Sequence, residues 1–164
     1  MKKNKRTEAE VLELTWIPGS LHVGPDDRRY EAIIEVALRL PNDAVATLEE
    51  KADSFHWFIP GDGFLAGVFP FPLSYEGPLL EGKAKLRERY AKVLYLSPEL
   101  ESKDFGIIVA SIAHELAHIC LDHSPLGSPS KLYRANENAA WKQVAAWGFG
   151  REAKEHEQFY KQRG

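Results

Sequence analysis

The pattern His-Glu-Leu-Ala-His at positions 114–118 constrains this chain more than any other feature, because it lies inside the apolar run 105–121. On a helix, residues four apart share one face, so His114 and His118 present their imidazoles to a common point. Glu115 lies beside them, about 100° around the helix. Two imidazoles in this arrangement can hold a zinc ion, and the carboxylate can take a proton from a water molecule that the metal activates. The spacing therefore indicates a metal-dependent hydrolase.

The surroundings of the motif strengthen this interpretation. The run FGIIVASIAHELAHICL is nearly hydrophobic all round, which predicts a buried helix. Burying two histidines and a glutamate among Ile, Val, Ala and Leu costs several kcal/mol unless these groups are paired or bind a metal. The alternative is a core helix without metal, whose histidines hydrogen-bond to backbone groups or carboxylates.

Length and charge set the broad class of protein. A chain of 164 residues is long enough to bury one substantial core, so we expect a flexible basic tail at residues 1–10 and a single domain at 11–164. The net charge of −3 argues against a nucleic-acid partner. The single cysteine, Cys120, excludes an internal disulfide framework. Without a secretory signal or a long apolar span, we expect a cytoplasmic protein with no membrane partner.

The order of predicted elements indicates an α+β fold. We expect a mixed β-sheet packed on the motif helix and on a C-terminal helix. The apolar periodicity and the turn residues predict a short strand at 11–17, helices at about 28–40 and 41–52, strands at 54–60, 64–71 and 91–96, the motif helix at about 104–122, and a closing helical region at about 132–162, with possible breaks at two glycines, 148 and 150.

A catalytic zinc site needs three protein ligands and one open position, so one ligand must lie outside the motif. His123 follows His118 by five residues, which places it about 140° away on a straight helix. It can reach the same metal only through a sharp turn at the helix end.

Glu137 is the better candidate for the third ligand. The Ser-Pro-Gly-rich segment 124–130 allows the chain to reverse, so the closing helix can pack antiparallel to the motif helix. Small residues around Glu137 allow the two helices to approach closely. The alternative for Glu137 is an exposed helix carboxylate, and the choice between Glu137 and His123 stays open at this point.

The segments AKVLYLSPEL, AHELAHICLDH and NENAAWKQVAAWGF resemble the compact gluzincin-type zinc peptidases, and most of all small bacterial and phage proteins of the ImmA/IrrE-like group. The resemblance covers residues 91–149. In that group a Glu on the closing helix supplies the third zinc ligand, which corresponds to Glu137. Larger gluzincins often carry an Asp four residues after this Glu, where the present chain has Trp141. The resemblance thus implies a small zincin-like domain.

The resemblance also implies how a substrate is bound and cleaved. A strand beside the cleft pairs with an extended peptide in such enzymes, and residues 91–96 are the natural candidate. A His, Tyr or Arg often stabilises the oxyanion of the tetrahedral intermediate. Tyr133, Arg134 and His156 could serve here, and the sequence does not select among them.

Two functional hypotheses result. The first is a zinc-dependent peptidase, in which His114, His118 and Glu137 bind Zn²⁺ and Glu115 is the general base. We expect it to act on a protein or peptide substrate, and on a specific protein partner in particular. The second is a zinc-bearing regulatory or protein-binding module without catalysis. The sequence leaves the oligomeric state and the substrate's identity undetermined.

Overall fold

The computed structural model describes residues 6–17, 27–52, 55–58, 66–73, 89–123 and 130–161. Along the chain, the elements are α1 (Glu8–Leu12), α2 (Arg28–Arg39), α3 (Asn42–Glu50), β1 (Phe55–Phe58), β2 (Ala66–Leu73), β3 (Arg89–Leu96), a 3₁₀ turn (Pro98–Ser102), α4 (Phe105–Cys120), α5 (Ser130–Val144), a π-helical segment (Ala145–Phe149) and α6 (Gly150–Lys161). The predicted loop 124–130 and the first half of the predicted tail lie almost entirely outside the described residues.

The fold class predicted from the sequence is wrong. Among the residues whose side chains the structure describes, 79% are helical and 4% lie in strands, so the protein is mainly helical rather than α+β with a β-sheet as a principal layer. The physical reason lies in the core. Its described apolar side chains come almost entirely from helices, and only Leu94 and Leu96 lie on a strand.

The strands form a minor unit whose backbones pair in the order β1-β3-β2, with β1 parallel and β2 antiparallel to β3. Residues 92–95 of β3 pair with β1, and all of 89–96 pair with β2. The prediction that 91–96 binds an extended peptide is therefore wrong. A strand paired on both sides has no row of unpaired backbone N–H and C=O groups with which a peptide could pair.

The N-terminal helices show how local sequence determines local structure. The side chain of Asp27 accepts a hydrogen bond from the backbone N–H of Arg29 and so caps α2. Pro41 is the N-cap residue of α3, and both helices confirm the sequence prediction. The strand predicted at 11–17 is wrong, because Thr7 and Glu10 form a capping box that starts α1 instead. Residues 8–10 of the predicted tail are thus helical, while the single-domain organisation stays a prediction.

Helix α4 is the centre of the fold, since α2, α3, α5 and α6 all pack against it. Residues 107–117 of this helix are buried without interruption, as the apolar run predicts. The motif thus lies on a helix that other helices surround.

The described part of the chain contains no helix that is both long and apolar enough to cross a membrane.

The chain bends between α5 and α6 at Gly148, whose φ of 95° is accessible to glycine but strained for other residues. Arg39 of α2 supports this bend: its Nη2 donates to the Gly148 carbonyl at 3.1 Å, its Nη1 donates to Glu152 Oε1 at 2.8 Å, and its guanidinium lies 4.3 Å from the centre of the Phe149 ring. We call Arg39, Gly148, Phe149 and Glu152 the Arg39 cluster.

Candidate metal centre

Three side chains from α4 and α5 converge on one point. The Nε2 atoms of His114 and His118 are 3.0 Å apart, as expected for residues four apart on one helix. Glu137 of α5 brings its Oε2 to 3.1 Å from His114 Nε2 and its Oε1 to 3.3 Å from His118 Nε2. One ligand atom of each residue lies within 4.8 Å of those of the other two, and the group could hold a metal ion.

These distances suit tetrahedral coordination. Ligand atoms about 2.05 Å from a zinc ion lie about 3.3 Å from one another in a tetrahedron. The two Nε2 atoms are 3.0 Å apart, and each has a different Glu137 oxygen within 3.1 or 3.3 Å. Two imidazole nitrogens and one carboxylate are also a donor set that zinc accepts in catalytic sites. The three residues could therefore hold a metal ion, and their donor set is one that zinc accepts.

The contacts between α4 and α5 account for the position of Glu137. Glu137 touches both histidines, whereas Trp141, one turn later on α5, stacks on His114, the earlier of the two on α4. The contacts thus advance in opposite directions along the two helices, as predicted for antiparallel packing. Glu137 is 29% exposed, so it is not the freely exposed helix carboxylate of the alternative hypothesis.

The electrostatics keep His114 neutral and Glu137 charged, which are the states in which these two groups bind cations. Burial lowers the pKa of His114 and outweighs the opposing effect of the Glu137 carboxylate. Burial works to raise the pKa of Glu137, but hydrogen bonds from His114 and His118 outweigh it and hold that pKa well below its usual range. A deprotonated carboxylate and a neutral imidazole are the forms that coordinate metals.

Glu115 lies next to this group and differs from Glu137 in its surroundings. Its side chain is buried, and within the described part of the chain its carboxylate makes no hydrogen bond or ion pair. Burial raises its pKa to about 7, and the partial offset by His118 does not cancel this effect. A buried carboxylate with a pKa near neutrality is poised to exchange protons.

His123 lies beside His118 but outside the ligand group. Its Nδ1 is 2.8 Å from Nδ1 of His118, on the side of the imidazole away from the Nε2 that faces Glu137. The sharp turn that the sequence analysis required at the helix end is present, because Asp122 has a φ of 52°. The geometry thus favours Glu137 over His123 as the third ligand.

The three residues considered for oxyanion stabilisation have different environments. The pKa of the Tyr133 hydroxyl is raised, first by burial and then by the charges of Glu137 and Glu115 and by a hydrogen bond to Glu137. His156 instead contacts Trp141, with ring centroids 4.7 Å apart, and burial lowers its pKa to about 4. Arg134 is exposed. Of the three, Tyr133 is the residue whose pKa is raised by both carboxylates of the centre.

The contact of Trp141 with the centre is one that the sequence analysis did not predict. The Trp141 ring stacks on His114 with centroids 4.1 Å apart and an interplanar angle of 24°. The Nδ1 atom of His114 is buried without a hydrogen-bond partner in the described part of the chain. The spacing of Glu137 and Trp141 by four residues, which places both on one face of α5, is the signal that could have predicted this contact.

No family model matches this chain, and neither a search of curated proteins nor one of solved structures found a significant match.

Proposed function

We propose that the protein is a zinc-dependent metallopeptidase. The single observation that carries the proposal is the convergence of two histidine Nε2 atoms and a Glu137 oxygen next to the buried carboxylate of Glu115. Within the described part of the chain, this carboxylate makes no hydrogen bond or ion pair. A structural metal site would have no use for such a carboxylate. A hydrolase needs one, because a base must take a proton from the attacking water.

Each residue has a distinct role in this proposal. His114, His118 and Glu137 would hold Zn²⁺, which when bound supplies Lewis acidity that makes water a stronger acid and polarises a carbonyl group. Glu115 takes the proton of the attacking water and passes it to the leaving amine. Its pKa of about 7 suits both steps, because a group can accept and release a proton efficiently near its own pKa.

Tyr133 is the residue that we assign to stabilising the oxyanion. Its hydroxyl lies close enough to Glu137 and Glu115 for both carboxylates to raise its pKa, so it stays protonated at neutral pH and can donate a hydrogen bond. The side chain is 58% exposed, which leaves it accessible to a substrate. A protonated donor near the scissile carbonyl stabilises the charge that develops there.

Cleavage of peptides by the wild type and by Glu115→Gln tests this function. Each protein, loaded with zinc, is incubated with a mixed protein lysate, and new peptide termini are identified by mass spectrometry. We expect new termini with the wild type and a rate lower by about 10²–10⁴-fold with the variant, which retains its zinc. Equal sets of termini from both proteins would contradict the assignment of Glu115. Their absence with the zinc-loaded wild type would favour the zinc-bearing binding module instead.

A further inference from the structure

The turn after α4 folds His123 back onto His118. The backbone N–H of His123 donates to the carbonyl of His118 at 3.1 Å, and that of Asp122 donates to the carbonyl of Ile119 at 3.2 Å. With Asp122 in the left-handed region, these two bonds form a Schellman motif. This motif commonly brings together the side chains of the residues that occupy the positions of His118 and His123, so the contact between the two rings follows from the way the helix ends.

The ring contact has a definite hydrogen-bond polarity when a metal is bound. The two Nδ1 atoms are 2.8 Å apart, and a neutral imidazole offers one donor and one acceptor nitrogen. If Nε2 of His118 gives its lone pair to a metal, Nδ1 of His118 must carry the proton. Nδ1 of His123 must then accept a hydrogen bond from this N–H group. A partner of this kind fixes both the tautomer and the orientation of a ligand histidine.

His114 has no equivalent arrangement. Its Nδ1 is buried and without a hydrogen-bond partner in the described residues, and Trp141 orients its ring only by stacking. Stacking restricts the plane of the ring but does not select a tautomer. The two ligand histidines therefore differ in how well they are prepared for a metal.

We propose that His123 is a positioning residue, which holds His118 in the Nδ1–H tautomer with Nε2 directed at the metal and is not itself a ligand. The proposal rests on the metal site of the proposed function, but not on peptide hydrolysis. The affinity of the protein for zinc then depends on an acceptor atom at position 123. Peptide cleavage need not be measurable for this dependence to be seen.

Two substitutions separate the hydrogen bond from the rest of the turn. His123→Ala removes the acceptor, whereas His123→Asn retains one, because Asn Oδ1 is as many bonds from the backbone as His Nδ1. Leu121→Ala is the matched control, since Leu121 belongs to the same turn and its side chain is 38% exposed. Zinc affinity is measured for each protein by competition with a chromogenic chelator.

We expect His123→Ala to weaken zinc binding by about 10–100-fold, the usual effect of losing a hydrogen-bond partner of a ligand. His123→Asn and Leu121→Ala should bind zinc about as tightly as the wild type. In the zinc-loaded wild type, the Nδ1–H proton of His118 should be shifted downfield and should exchange slowly with water, because it is hydrogen-bonded to Nδ1 of His123. His123→Asn should retain this signal, whereas in His123→Ala the proton should exchange faster.

Unchanged zinc affinity in His123→Ala would overturn the role of His123 while leaving the metal site intact. Equal losses in the Ala and Asn variants, with Leu121→Ala unaffected, would also overturn it, because the acceptor atom would then not be what matters. Absence of zinc binding by the wild type would be a different result, since it would remove the metal site itself and this inference with it.

Discussion

Glu115 and Glu152 are both buried glutamates on helices, but their surroundings differ. Glu152 is 4% exposed and receives a hydrogen bond from Arg39 that outweighs the effect of burial and lowers its pKa. Glu115 is 9% exposed, has no cation beside it in the described part of the chain, and burial raises its pKa to about 7. Glu152 is thus stabilised in its charged form, whereas the pKa of Glu115 lies near neutral pH.

This difference separates a structural carboxylate from a functional one. In the Arg39 cluster, the charge of Glu152 offsets that of Arg39 and ties α2 to the bend before α6. At the candidate metal centre, burial raises the pKa of Glu115 despite a partial offset by His118, and no ion pair among the described residues offsets its charge. A buried carboxylate whose pKa is raised by burial, without a hydrogen bond to it among the described residues, is typical of a functional site rather than of a structural one.

The pH dependence of stability should have opposite signs at the two sites, and here we expect the largest effect. Because the folded metal-free protein raises the pKa of Glu115 from 4.5 to about 7, the stabilising proton is lost as the pH rises through this range. Above it, Glu115→Gln should exceed the wild type in free energy of unfolding by on the order of 3 kcal/mol.

Glu152→Gln is the matched comparison. The folded pKa of Glu152 is lowered, so its contribution is present above the ordinary pKa and is lost as the pH falls through the folded value. The wild type should therefore be more stable than Glu152→Gln at neutral pH and lose this advantage in acid. Urea unfolding across the pH range, with a chelator present, measures both effects. If the stabilities of the two variants, each relative to the wild type, changed with pH in the same direction, the difference proposed between Glu115 and Glu152 would be wrong.

Removing the cation of the Arg39 cluster should have the next largest effect. Arg39→Met keeps the apolar stem but leaves Glu152 without its closest partner, so we expect a loss of about 2 kcal/mol in the free energy of unfolding, less than for a fully buried pair. The discount reflects the 32% exposure of the Arg39 side chain.

Arg151→Met is the control for this change, since Arg151 also approaches Glu152 Oε1, at 3.5 Å, but is 82% exposed. Its substitution should change stability by less than about 0.5 kcal/mol. If both arginine variants unfolded at the same urea concentration, burial would not be what gives the Arg39 contact its value.

The smallest effect concerns the bend that Arg39 supports. Gly148→Ala forces a residue with a Cβ into a φ of 95° and should cost about 1–2 kcal/mol. Gly150 has a helical φ of −65° and space around it, so Gly150→Ala should be neutral or stabilise slightly. Guanidinium unfolding of both variants measures the difference. A Gly148→Ala protein as stable as the wild type would show that the positive φ at position 148 does not require glycine.

The sequence predicted the parts of the molecule that depend on local rules. The apolar periodicity and the turn residues were sufficient to predict α2, α3 and α4. The four-residue spacing of His114 and His118, with a reversing segment before Glu137, predicted how the three residues meet. The capping box formed by Thr7 and Glu10 was a local signal too, but the weak alternation after it was interpreted as a strand.

Other features depend on contacts that local patterns do not contain. The position of β3 between two strands follows from pairing between distant segments, so the sequence could not show that its edges are occupied. The contact of His123 with His118 depends on Asp122 adopting a left-handed conformation, which the extrapolation of a straight helix missed. The predicted α+β class failed because helices predominate among the residues whose side chains the structure describes, and the buried strand residues among them are only Leu94 and Leu96.

Zinc binding by the wild type and by Glu137→Ala tests the central claim most directly. The protein is purified without chelator, its zinc content is measured by mass spectrometry, and Glu157→Ala, which alters an exposed carboxylate on α6, is the control. We predict one zinc ion per chain in the wild type and the control, and an affinity at least about 100-fold lower in Glu137→Ala. Zinc bound equally well by all three proteins, or by none of them even after zinc is added, would contradict the assignment of His114, His118 and Glu137 as a metal centre.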